Sequence, residues 1–119
     1  MDPVILVGTG GAIGSVLRFV FSRIQPFQGI PAGTLLVNIT GSFALALLVF
    51  SGVNGDMYNL IGTGGLGGFT TFSTFSYETF RMLEDHDYRT LLTYTAVSVG
   101  GGLCAVAAGY FACGGWAAL

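Results

Sequence analysis

Four apolar stretches divide this chain, each close to the ~20 residues a helix needs to cross a bilayer, and short links join them. The first runs from Pro3 to Ile24, with Asp2 placed to cap it and Pro3 suited to a first helical turn. The second runs from Pro31 to Ser51, the third from Met57 to Arg81 and the fourth from Tyr88 to Cys113. The N-terminal run lacks a basic start and is too long for a cleaved leader, so it reads as a span. The pattern predicts an all-α membrane protein: one domain over residues 1–119, made of four transmembrane helices. With an even number of spans both termini share a side, and Arg18, Arg23, Arg81 and Arg89 gather toward the other. So small a bias specifies orientation poorly, permits insertion both ways and allows an antiparallel pair. Four spans also make a thin bundle, so a central polar pathway needs a second copy to enclose it, and a homodimer is expected.

The third stretch departs from the others. Gly62, Gly64, Gly65, Gly67 and Gly68 are followed by Thr70, Thr71, Ser73 and Thr74, with Phe72 and Phe75 between and after them. Glycines cost a helix about 1 kcal/mol each relative to alanine. A glycine cluster running into hydroxyl residues predicts a helix interrupted at membrane depth. Such a break survives only where protein or a polar cavity covers the freed peptide groups. Close helix packing alone would also use glycines, but it gives no reason for Thr-Thr-Phe-Ser-Thr-Phe. Phe72 and Phe75 share a face at i, i+3. They are either core or lipid contacts, or ring edges turned into a narrow path, where the positive rim of the ring favours an anion.

Other polar residues fall inside apolar runs. Arg18 follows Gly14 by four residues in the first span and either snorkels to water or serves as a buried cation facing a vestibule. Thr34, Asn38, Gly41 and Ser42 lie on one face of the second span. The Asn38 amide either bonds a neighbouring helix or donates into an anion path. Glu78, near the end of the third span, is either solvated or paired. Tyr94 and Ser98, four apart in the fourth span, are a polar stripe or, for Tyr94, an interfacial anchor. Gly10 and Gly14 in the first span, and Gly101, Ala105 and Gly109 in the last, suit close contact between helices.

Gly67-Gly-Phe-Thr-Thr-Phe-Ser-Thr-Phe75 resembles the signature of the Fluc/CrcB fluoride channels. Gly33-Thr-Leu-Leu-Val-Asn-Ile-Thr-Gly-Ser-Phe43 is similar to a second motif of that family, and Arg18 and Tyr94 match positions where the family carries arginine and tyrosine. The resemblance implies a fluoride-selective channel in the cell membrane, built as a dual-topology homodimer with two parallel paths for passive fluoride export. It implies that Phe72 and Phe75 line the path. It also implies a structural Na⁺ on the dimer axis, held by the backbone carbonyls of Gly67 and Thr70, twice over by symmetry. Fluoride is strongly hydrated, so donors must replace its water. Asn38, Tyr94, Ser98, Thr34, Ser73 and Thr74 are the candidates, with Arg18 and Glu78 as vestibule or structural charges.

Composition narrows the alternatives. Charged residues make up 8% of the chain, about a third of the soluble norm. There is no lysine, the formal charge is only −2, and no basic patch suits a nucleic acid. The glycine run lacks the lysine of a phosphate-binding loop. No catalytic constellation is present, and His86 among Glu84, Asp85 and Asp87 reads as a solvated turn. Cys104 and Cys113 sit too far apart along one helix to bridge. A small four-span proton-coupled exporter shares the length and span count but needs a carboxylate within the first span, and here only Asp2 stands at its very start. An accessory subunit without transport would leave the Thr-Thr-Phe-Ser-Thr-Phe run unexplained.

Overall fold

The Asp2 carboxylate accepts the Val4 N–H at 2.9 Å, and Pro3 opens the first helix, α1 (Pro3–Phe21), where its missing N–H costs nothing. This computed structural model describes residues 2–114; the ends of the expected 1–119 domain lie outside them. Every regular element among the described residues is helical, apart from one bridge between Phe27 and Ile30 in the turn after α1. α2 (Ala32–Phe50) starts one residue after Pro31, which is its N-cap rather than its first turn. α6 (Tyr88–Ala112) is capped by Asp87, whose carboxylate accepts from Thr90 N–H. These three helices are long and apolar enough to cross a membrane. Val4, Ile13, Leu17, Phe19 and Val20 point outward from α1, as lipid contacts require.

The expected third span, Met57 to Arg81, is divided. Its parts are α3 (Gly55–Met57), a π-helical segment (Tyr58–Leu66), α4 (Gly67–Phe69) and, after two extended residues, α5 (Phe72–Glu84). The glycine run therefore stays helical, and its wider winding is visible in the Gly67 N–H that bonds Gly62 O five residues back. The chain leaves the helix at the β-branched Thr70 (φ −79°, ψ 158°) and Thr71 (φ −147°, ψ 121°). Threonine tolerates extended backbone and caps helices well, so the change of direction falls on the threonines.

The glycines serve contact instead. A Cβ on Gly10 would strike Leu60 O, one on Gly14 would strike Gly65 O, and one on Gly68 would strike Gly11 O. α1 and the π-helical segment thus meet backbone to backbone. On the other side α2 packs on α6, with Gly101 against Ile39 and Gly109 against Ala46. The molecule measures 47 × 38 × 19 Å, so it is a slab about two helices deep. A tight reversal joins α5 to α6. His86 takes a left-handed conformation (φ 58°), and Asp87 N–H reaches back to Met82 O at 2.9 Å, the bond pattern usually built around glycine. That reversal lays α6 along α5 and brings Tyr94 beside Glu78.

The glycine contact makes a paired prediction. Gly14→Ala should lose about 1–3 kcal/mol by overpacking against the Gly65 carbonyl. Gly8→Ala, whose Cβ meets nothing within 4 Å, should be neutral or stabilising. Thermal unfolding of the two detergent-solubilised variants against the parent measures both.

Candidate functional site

Two extended residues expose peptide groups that a helix would have satisfied, and α2 supplies the replacement. The Asn38 side chain accepts the Thr71 N–H at 2.8 Å through Oδ1 and donates to Thr71 O at 2.8 Å through Nδ2. One amide side chain thereby pairs with both polar groups of Thr71, as a neighbouring strand would. Gly41, one turn along α2, has no Cβ where the Thr70 methyl sits, which lets the two segments approach. The Thr71 hydroxyl caps α5: it accepts Thr74 N–H at 3.1 Å and donates to Thr74 Oγ1 at 3.0 Å. Ser73 Oγ lies 3.3 Å away in the same cluster. Among the described residues no donor reaches the carbonyl oxygens of Gly67 or Thr70.

Two clefts meet at Thr71, which lines both. The larger, about 560 Å³, brings together Asn38, Gly67, Thr70, Phe72, Phe75 and Ser98. Phe72 is 68% exposed and stands at its open side. The two phenylalanine rings are T-shaped, with centroids 5.9 Å apart. Ser98 differs from four other helical hydroxyls. Thr40, Ser42, Thr79 and Thr93 each donate to the carbonyl four residues back. Ser98 Oγ is buried and has no partner among the described residues.

The smaller cleft, about 280 Å³, holds Arg18, Thr34, Ser73 and Thr74 on the far side of Thr71. Arg18 is half-buried there, and among the described residues no carboxylate pairs with it. The site is therefore asymmetric, with a cation and hydroxyls at one end and two aromatic rings with a free serine at the other. Glu78 and Tyr94 line neither cleft. Tyr94 is fully buried, which removes the interfacial-anchor reading, and its hydroxyl donates to Glu78 Oε1 at 3.1 Å. The Tyr94 ring rests 5.3 Å from that of Phe75. The pair thus backs the aromatic wall and commits the Tyr94 hydroxyl to a carboxylate.

Helical spacing puts Thr34 with Asn38, Gly41 and Ser42 on one face. In the fold the first lines the small cleft and the other three the large one, and Thr71, bonded to Asn38, lines both. Thr71, the hinge of both clefts, was not among the candidate site residues. Its spacing to Thr74, a hydroxyl three residues before a helical N–H, was the available signal.

The chain is similar to proteins of known kind. The family model described as "CrcB-like protein, Camphor Resistance (CrcB)" matches residues 5–110, a span that includes every candidate residue above. The fluoride-specific ion channel FluC of Methanococcus aeolicus is 40% identical over 114 residues, 92% of this chain and 93% of its own. FluC 3 of Methanosarcina acetivorans is 47% identical over 81 residues, 67% and 73% of the two chains. FluC of Methanococcus vannielii is 48% identical over 91 residues, 72% and 75%.

A buried hydroxyl without a partner carries a desolvation cost that the fold does not recover. Ser98→Ala should therefore unfold at the same temperature as the parent or a higher one, whereas Asn38→Ala, which strands two buried peptide groups, should unfold well below it. Thermal melts in detergent decide this.

Proposed function

Because the chain belongs to the CrcB-like family, we propose that it is a fluoride-selective ion channel, not an enzyme, and that it lets fluoride leave the cell passively across the membrane in which its helices are embedded. The family match over residues 5–110 carries this reading, and the relatives named as fluoride-specific ion channels support it. The proton-coupled exporter reading has no comparable support.

The third apolar stretch crosses the membrane as two pieces, with Thr70 and Thr71 at depth. The reason is energetic: extended backbone in hydrocarbon must be paired or face a polar cavity, and here Asn38 pairs with Thr71 while Thr70 lines the larger cleft. One slab 19 Å deep leaves the larger cleft open, with Phe72 and the Thr70 carbonyl side uncovered. A second, inverted copy closes it, giving an antiparallel homodimer with two paths.

Fluoride gives up water step by step. In the small cleft the Arg18 guanidinium and the hydroxyls of Thr34, Ser73 and Thr74 replace it. Beyond Thr71 the ring edges of Phe72 and Phe75 present positive rims without water-like hydrogen bonds, and the free Ser98 hydroxyl donates. Glu78 holds Tyr94 in place behind Phe75. Larger halides are excluded by the narrow aromatic gap.

The carbonyls of Gly67 and Thr70 suit a Na⁺ ion. They are hard oxygen donors without protein partners among the described residues, their residues line one cleft, and they close the helical run that begins at Gly55. Bound there between two copies, Na⁺ would supply a fixed positive charge that lowers the cost of bringing an anion into low dielectric.

Vesicles bearing only this protein should release fluoride, read by a fluoride electrode, and hold back chloride. Phe72→Ile, Phe75→Ile and Ser98→Ala should each slow fluoride release about tenfold or more. Unaltered rates in the phenylalanine variants would remove the aromatic role, and vesicles that stay tight to fluoride would remove the channel reading.

A further inference from the structure

In an uninterrupted α-helix the Thr71 N–H would donate to Gly67 O and the Thr74 N–H to Thr70 O. Both donors are diverted. The first goes to Asn38 Oδ1 at 2.8 Å and the second to the Thr71 hydroxyl at 3.1 Å. Gly67 O and Thr70 O, the two carbonyls that the cation reading uses, lose their helical donors at this break, as Gly68 O and Phe69 O do. The diversion also sets direction. Thr71 N–H and Thr70 C=O belong to one planar trans peptide, so they point opposite ways. Fixing the N–H on Asn38 aims the Thr70 carbonyl away from α2, and the second bond, Asn38 Nδ2 to Thr71 O, holds the peptide that follows. A bonded N–H also polarises its own carbonyl, which strengthens it as a donor to a cation.

The geometry points to Asn38 and the Thr71 hydroxyl as positioning residues for cation binding, acting by withdrawing the helical partners of Gly67 O and Thr70 O. This rests on the proposal that these carbonyls hold Na⁺. It differs from an anion-contact role for Asn38, because it places the effect of a substitution on sodium affinity. Without Asn38, Thr71 N–H is free to return to Gly67 O. Without the Thr71 hydroxyl, Thr74 N–H is free to return to Thr70 O.

The test is the sodium midpoint of thermal protection: the unfolding temperature of the purified full chain, followed as NaCl replaces N-methylglucamine chloride at constant ionic strength. Asn38→Leu and Thr71→Val should each need about tenfold more Na⁺ than the parent. Thr71→Ser, which keeps the capping hydroxyl, should stay near the parent, an outcome that simple loss of packing would not give. A parent midpoint shared by Asn38→Leu would overturn the inference. If Asn38→Leu yields no folded protein, Thr71→Val against Thr71→Ser decides in the same way. A parent indifferent to Na⁺ would remove the cation reading itself and this inference with it, whereas a sodium-dependent parent with unshifted variants would remove only the positioning role.

Discussion

The two 2.8 Å bonds between Asn38 and the backbone of Thr71 are the interaction on which the rest of the arrangement depends. They let the chain run extended for two residues between α4 and α5 with both polar groups of Thr71 paired. An amide is the side chain that suits this position, since it carries a donor and an acceptor in the same plane as a peptide. A carboxylate would lack the donor, and a hydroxyl cannot span both groups of one residue. The cost of losing such a partner grows as the surroundings lose water.

Packing brings Asn38 and Thr71 together. The glycines of α1 and of the π-helical segment meet backbone to backbone, which draws the third stretch close. Gly41 removes the last obstruction, the methyl of Thr70. The left-handed His86 turn then returns the chain so that Tyr94 and Glu78 brace Phe75 from behind. Small residues thus set distances, and a few polar side chains use those distances to hold a non-helical segment. The exposed apolar side chains of α1 and α6 leave the outer surface to lipid.

Much of this was legible along the chain. The apolar run lengths marked α1, α2 and α6 within a few residues, Asp2 marked the first cap, and the Gly10–Gly14 and Gly101–Gly109 spacings marked helix contacts that the fold contains. The winding of the glycine run was not legible, because whether glycines coil widely or unwind is decided by what presses on them, here α1. That Asn38 needs a partner follows from its place in an apolar run, but its choice of Thr71 comes from the meeting of α2 with the extended residues before α5, thirty-three positions away in sequence. The same meeting leaves Thr34 and Asn38 in different clefts, and no helical wheel contains it. The commitment of Tyr94 to Glu78 likewise depends on the turn at His86.

The bond from Thr71 to Asn38 has an alternative that is directly measurable, the bond from Thr71 to Gly67 that a continuous helix would make. Scalar coupling transmitted through a hydrogen bond distinguishes them in isotope-labelled protein. The expected result is a coupling from the Thr71 amide nitrogen to the side-chain carbonyl carbon of Asn38 and none to the backbone carbonyl carbon of Gly67. A coupling to Gly67 in place of Asn38 would contradict it, for the third stretch would then be helical through Thr71 and its carbonyls already taken.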